Sequence, residues 1–162
     1  MSTTYLNVVS SASQLSADIK AIDLASQADG GTGTNYVITL AAGKTLTESA
    51  DISAINLAGN DTLTLNGQGA TVDGAGAYRG LFAYAGKTKI ENLTIEDAVA
   101  EGGAGGGGAG GGAGLGGGLF VADNSAGGAA PAHVTLDNVF FSGDSAVGGA
   151  GSAMLFSVAT AI

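Results

Sequence analysis

The segment Lys89-Ile90-Glu91-Asn92-Leu93-Thr94-Ile95 is the most informative part of the sequence, because its pattern of apolar and polar residues recurs later in the chain. The second occurrence is Thr135-Leu136-Asp137-Asn138-Val139-Phe140-Phe141. A shorter block, Leu81-Phe82-Ala83, returns as Leu119-Phe120-Val121 and again as Leu155-Phe156-Ser157. Each unit therefore supplies two strand-like blocks in the same order, and a repeat of this kind is typical of stacked architectures.

Short runs with one apolar face also occupy the chain from Tyr36 to Val72, separated by glycine, asparagine and aspartate. They are residues 37–40, 45–47, 55–57, 62–65 and 70–72. Alternation with a period of two indicates strands, and strands this short are typical of a sandwich, a barrel or a solenoid. The internal repeat favours the last of these, so we predict an all-β solenoid of parallel strands over residues 36–162.

Residues 1–35 are predicted to form a short strand followed by one helix. Residues 4–9 are rich in β-forming side chains, and Ser11 with Gln14 fits a capping box. The spacing then places three apolar side chains on one helical stripe, namely Leu15, Ile19 and Ile22. We expect the helix to cover residues 12–27, to stop near Gly30, and to cap the N-terminal end of the solenoid.

The longest connection is a glycine-rich tract at about residues 101–118. Two interpretations remain open for it. Its composition is typical of a disordered linker. It is equally consistent with a packed loop inserted at one corner of a coil, because a solenoid tolerates insertions there.

Charge and composition exclude several classes of partner. Five basic residues against fourteen acidic ones give a net charge of −9 and a pI near 4.1. A surface of this sign repels phosphates, so we expect no binding to nucleic acid. The chain has no cysteine, and no apolar run approaches the roughly 18 residues that a membrane span needs.

The order of these segments resembles the opening of pectin-lyase-like right-handed parallel β-helices. The resemblance is carried by the helical segment, by residues 36–43, by Leu63-Thr64-Leu65-Asn66-Gly67-Gln68-Gly69-Ala70-Thr71-Val72-Asp73-Gly74, and by residues 90–95. It implies an all-β, right-handed parallel β-helix (solenoid) with an N-terminal capping α-helix.

The second half resembles the repeats of polymorphic outer-membrane proteins and of autotransporter or type I secreted adhesins. Gly117-Gly118-Leu119-Phe120 stands in the place of their Gly-Gly-Ala-Ile strand, and Phe141-Ser142-Gly143-Asp144 in that of their Phe-x-x-Asn turn. The resemblance implies a bacterial protein that is secreted or held at the cell surface.

Asn66, Asn92 and Asn138 each lie at or beside the end of a strand block. Stacked turn asparagines can form a ladder of hydrogen bonds, each contributing roughly 0.5–1.5 kcal/mol. We interpret the three residues as a structural turn ladder rather than a ligand site.

No constellation of catalytic residues emerges from the sequence. Glycoside hydrolysis needs two carboxyl groups about 5–9.5 Å apart. The candidate carboxylates are scattered and form no pair that repeats between units: Asp51, Asp61, Asp73, Glu91, Glu96, Asp97 and Asp137. His133 is the single imidazole, and lyase chemistry would have only Arg79, Lys20, Lys44, Lys87 and Lys89 to draw on. We therefore predict no catalytic site, no cofactor and no metal.

The function expected from these observations is a non-enzymatic adhesin, matrix or stalk module that contacts a protein or glycan of a host or matrix surface. A polysaccharide-acting enzyme fragment and a self-assembling filament subunit remain alternatives. Leu155 and Phe156 would leave an apolar edge on the last coil. We expect that edge to be covered by further coils of a longer protein, by self-association with another copy, or by the chain's own tail.

Overall fold

The structure is a computed structural model that describes residues 2–123 and 131–153. Within these ranges it contains one helix and ten strands. In chain order they are β1 (Thr3–Tyr5), α1 (Ala12–Asp29), β2 (Asn35–Thr39), β3 (Thr45–Thr47), β4 (Ile55–Asn56), β5 (Thr62–Asp73), β6 (Leu81–Glu96), β7 (Val99–Glu101), β8 (Leu119–Val121), β9 (Ala132–Ser142) and β10 (Ser145–Val147).

Eight of these strands form one sheet, and β7 with β10 form a second sheet of two strands. The long strands organise the large sheet, since β5 pairs with β2 and β3, whereas β6 pairs with β5, β4, β8 and β9. Every pairing between these strands is parallel, as the alternating runs predicted. Positive φ angles at Gln68, Asn92 and Asn138 bend the three longest strands at matching places.

The sequence blocks that align with each other lie side by side in the sheet. Leu81, Phe82 and Ala83 of β6 pair with Leu119, Phe120 and Val121 of β8. Lys89 pairs with Thr135, and Ile95 with Phe141, in β9. Because equivalent residues are neighbours, apolar positions form continuous rows across the sheet, and these rows build the core.

Helix α1 begins and ends where the capping signals predicted. The Gln14 amide donates to Ser11 Oγ at 3.2 Å, while Gln14 Oε1 accepts from the Ser10 amide, one residue before the position that a capping box uses. Gly30 ends the helix in a left-handed conformation with φ of 72°, which a residue without a Cβ adopts readily. The helix therefore extends two residues beyond the predicted 12–27.

The helix also serves as a hydrogen-bonding partner for the segment around β4. Ser16 Oγ accepts from the Ser53 amide at 3.0 Å, and Asp23 Oδ1 accepts from the Asn56 amide at 2.9 Å. Ser26 Oγ, which is fully buried, accepts from the Ala58 amide at 2.8 Å. Side chains of α1 thus satisfy backbone donors that a neighbouring strand would otherwise satisfy.

The prediction of an all-β right-handed β-helix solenoid with a capping helix is wrong. The fold is mixed, with one helix and an eight-stranded parallel sheet. Leu15, Ile19 and Ile22 of α1 belong to the same core as the inward residues of the sheet, so the helix is a structural layer and not an accessory. Periodicity in the sequence indicates strands and their buried faces, but it does not indicate which element packs against those faces.

The glycine-rich tract packs against the chain around β7 and β10. Gly102 donates to the Val147 carbonyl at 2.9 Å, and Gly105 donates to that of Ala150 at 2.7 Å. Within the tract, Gly112 donates to the Gly103 carbonyl at 2.7 Å. These bonds correspond to the packed-loop interpretation. Among the described residues, α1 is too polar to count as a membrane-crossing helix.

Candidate functional site

The three turn asparagines do not form one continuous ladder. Asn138 Nδ2 donates to Asn92 Oδ1 at 2.9 Å, and the two residues share a positive φ of 54° and 52°. Asn66 Oδ1 instead accepts from the Gln68 amide at 3.2 Å, within its own turn. The structure therefore brings Asn92 and Asn138 together, while Asn66 lies in the row of Glu91.

Leu155 and Phe156 lie outside the described residues, so self-association through them stays a prediction. His133 lies exposed on β9, in register with Lys87 of β6. No group of three or more histidine, cysteine, aspartate or glutamate side chains in the described ranges is arranged to hold a metal ion.

A cavity of about 350 Å³, here called the Arg79 cavity, opens where the start of β6 meets β7, β8 and the glycine-rich tract. It combines apolar, aromatic and charged side chains. The residues that line it are Asp51, Ala77, Arg79, Phe82, Val99, Ala100, Glu101, Ala113, Leu115 and Phe120. Because they come from widely separated segments, only the folded sheet brings them together.

Backbone contacts fix the position of Arg79 at the entrance to β6. Its amide donates to Asp51 Oδ1 at 3.2 Å, and the next amide, of Gly80, donates to the Gly117 carbonyl at 2.9 Å. A side chain at Gly80 would overlap the Gly118 carbonyl, so only glycine permits this approach. The backbone on both sides of Arg79 is therefore anchored.

Two aromatic rings form the apolar wall of the Arg79 cavity. Phe82 and Phe120 are paired in register on β6 and β8, with their ring centroids 5.1 Å apart and their planes at 69°. Such an edge-to-face arrangement is favourable for aromatic side chains. The guanidinium carbon of Arg79 lies 4.9 Å from the Phe82 ring centroid, within the range of a cation–π contact.

Arg79 has no carboxylate partner for its charge among the described residues, since the salt bridges formed there involve Lys89 with Glu91 and with Asp137. Its Nε is buried and has no acceptor within hydrogen-bond distance. An unsatisfied buried donor is unfavourable by about 1–3 kcal/mol. Because this nitrogen is closed to solvent, an oxygen atom that enters the cavity reaches only the rest of the guanidinium.

A buried carboxyl group, that of Glu48, lies behind the same region. Glu48 is 4% exposed, and neither of its oxygens has a hydrogen-bonding partner of good geometry in the described chain. Burial, followed by the charges of Asp51 and Asp73, raises the pKa of Glu48 to about 8, although the Arg79 charge opposes the shift. Burial thus favours the neutral form of Glu48, and no salt bridge joins it to Arg79.

A second surface, here called the threonine–lysine face, lies on the middle of the large sheet. Thr62, Lys87 and His133 form one row across β5, β6 and β9, and Thr64, Lys89 and Thr135 form the next. These residues surround a shallow cleft of about 330 Å³. The Lys89 ammonium is already paired, with Glu91 and, at 3.5 Å, with Asp137. The charge of Lys89 is therefore compensated, whereas no described carboxylate forms a salt bridge with Lys87.

Sequence reasoning missed both Glu48 and the aromatic wall. Glu48 did leave a signal, because it occupies an inward position two residues after the buried Leu46. A carboxylate in the apolar phase of a strand pattern is unusual enough to mark a site. Phe82 and Phe120 were seen only as members of a repeated block.

No family model, curated protein or solved structure matches the chain.

Proposed function

We propose that the chain is a non-enzymatic module of a secreted bacterial surface protein, and that it contacts its partner through the Arg79 cavity. The observation that carries the proposal is the combination of an aromatic wall, Phe82 and Phe120, with a guanidinium that lacks a counter-ion. Aromatic and arginine side chains dominate the energetics of recognition surfaces. Binding pockets are usually concave and place a few polar groups beside apolar side chains; the Arg79 cavity exposes polar and apolar surface in about equal parts.

The position of Glu48 supports binding rather than catalysis. It is the group in this region whose pKa burial moves most strongly toward neutrality, as expected of a general acid or base. However, Glu48 does not line the cavity, and a general acid must come within hydrogen-bond reach of its substrate. The extracellular setting rests on the resemblance of the sequence to secreted adhesins.

The test is adhesion of the purified full chain to surfaces coated with extracellular matrix proteins or with host cells. Phe120→Ala removes half of the aromatic wall and is expected to reduce adhesion at least about tenfold, because truncation of a buried aromatic contact typically weakens binding by 2 kcal/mol or more. Phe140→Ala is the matched control, since Phe140 is 62% exposed on β9 and does not line the cavity.

Equal adhesion of both variants and of the unaltered chain would contradict the proposal. So would turnover of a polysaccharide by the unaltered chain, which would favour the enzyme alternative.

A further inference from the structure

The Arg79 cavity contains one site suited to an anionic oxygen. The Arg79 side chain lines the cavity, and no described carboxylate forms a salt bridge with its guanidinium. The planar guanidinium matches the two oxygens of a carboxylate better than any other common group. The net charge of −9 repels a carboxylate at long range, so only direct contact with this guanidinium would hold one.

The remaining charges of the cavity exclude a simple anion as the whole ligand. Asp51 and Glu101 also line it, so carboxylates outnumber the one arginine and repel a ligand that is negative throughout. Asp51 Oδ1 already accepts from the Arg79 amide, whereas Oδ2 is left for a further donor. The ligand must therefore combine one carboxylate with hydrogen-bond donors a short distance away.

The apolar wall adds a third requirement. Phe82, Phe120 and Leu115 face the same space as these charged groups, and Leu115 is 55% exposed without a ligand. An apolar side chain on the ligand would remove this surface from water. The volume, about 350 Å³, lies at the small end of the usual range for ligand sites, about 300–1,000 Å³.

We propose that the Arg79 cavity binds the C-terminal end of a peptide chain, with the terminal carboxylate on Arg79 and an apolar last side chain against Phe82 and Phe120. Backbone N–H groups of the peptide donate to Asp51 and Glu101. Capture of a chain terminus is a recurrent mode of peptide recognition. The inference rests on the proposed function and specifies its partner as a protein rather than a glycan.

The experiment is isothermal titration calorimetry of the full chain with the tripeptide acetyl-Gly-Gly-Leu. The same peptide with an amidated C-terminus lacks the carboxylate, and acetyl-Gly-Gly-Gly lacks the apolar side chain. We expect the free acid to bind and each of the two altered peptides to bind at least about tenfold more weakly. Methyl glucoside serves as a sugar probe and is expected not to bind.

Variants of the protein assign the binding to Arg79. Arg79→Gln is expected to weaken binding of the free-acid peptide at least about tenfold. Arg79→Lys is expected to weaken it less, because lysine keeps the positive charge but lacks the planar pair of N–H donors. Lys87→Gln removes a positive charge on the threonine–lysine face, outside the cavity, and is expected to change nothing. Circular dichroism and thermal melting establish that each variant is folded, and Arg79→Lys carries the test if Arg79→Gln is not.

Equal binding of the acid and the amide, absence of binding by the acid, or binding of the sugar in its place would each overturn the inference. If the free-acid peptide does not bind but Phe120→Ala still abolishes adhesion, the inference is contradicted and the proposed function is supported. If the peptide binds but Phe120→Ala leaves adhesion unchanged, the site for a peptide terminus is supported and the adhesion function is contradicted.

Discussion

At the scale of single residues, the buried carboxyl groups of Asp61 and Glu48 differ in how far hydrogen bonds compensate their burial. Asp61 is fully buried; its Oδ1 accepts from the amides of Gly33 at 2.8 Å and Thr34 at 2.7 Å, while its Oδ2 has no partner. It therefore ties the connection after α1 to the start of β5. Burial favours the neutral form of Glu48, although the Ile52 backbone lowers its pKa. Asp61 thus stabilises the fold, whereas an ionised Glu48 would oppose it.

We expect Glu48→Gln to flatten the pH dependence of stability. In the folded chain the pKa of Glu48 is raised from 4.5 to about 8, so the folded state keeps a proton that the unfolded chain releases. The free energy of unfolding should accordingly be highest below pH 4.5 and fall as the pH rises to about 8. Urea unfolding at a series of pH values measures this slope.

Asp23 requires a control, because burial raises its pKa to about 6 and adds a slope of the same sign at lower pH. The comparison is therefore made between about pH 7 and pH 8, where Asp23 is mostly ionised in both states. Asp23→Asn should leave the slope in that window intact. A slope that survives Glu48→Gln would show that another group is responsible.

Asp61→Ala should destabilise the fold by roughly 1–3 kcal/mol, because it removes the acceptor of two partly buried backbone donors. Asp137→Ala is the matched control. Asp137 is an exposed carboxylate whose side chain is 65% accessible and whose ion pair with Lys89 spans 3.5 Å, and such pairs contribute at most about 1 kcal/mol. Chemical denaturation of the three proteins gives the comparison, and similar losses in both variants would contradict the role assigned to Asp61.

At the scale of elements, the glycine-rich tract is held by backbone contacts that leave no room for side chains. A Cβ at Gly114 would overlap the carbonyls of Val147 and Ala100, and one at Gly111 would overlap that of Gly149. At Gly110, in contrast, nothing lies within 4 Å. Close approach of the backbone thus requires glycine at some positions of the tract, whereas at others a side chain would find open space.

We expect Gly114→Ala to lower stability by about 1–3 kcal/mol, because the surrounding backbone must shift to admit a methyl group. Gly110→Ala adds the same atom where space is open, so stability should stay unchanged or rise by about 0.4–1 kcal/mol through the unfolded chain. The denaturation midpoints of the two variants provide the measurement. Identical midpoints would mean that the tract is not held against β7 and β10.

At the scale of the whole molecule, short sequence patterns predicted the features that depend on residues close together in the chain. Capping signals placed both ends of α1, and alternation with repeated blocks identified parallel strands and their partners. The fold class was missed because bonds such as Asp23 to Asn56 join residues that no short pattern relates. The Arg79 cavity was missed for the same reason, since Asp51, Arg79 and Phe120 meet only after the sheet has formed.

The order of the strands has a consequence for how the chain could acquire its structure during synthesis. Along the row β1, β2, β5, β6 and β9, neighbours in space follow one another in the chain. Among the described strands of this row, none is inserted between two that precede it in the chain. Strand pairs that have already formed therefore need not separate when the next strand is added. Each new strand finds its template already in place as it emerges, which makes this part of the molecule suited to folding vectorially, from the N-terminus onward.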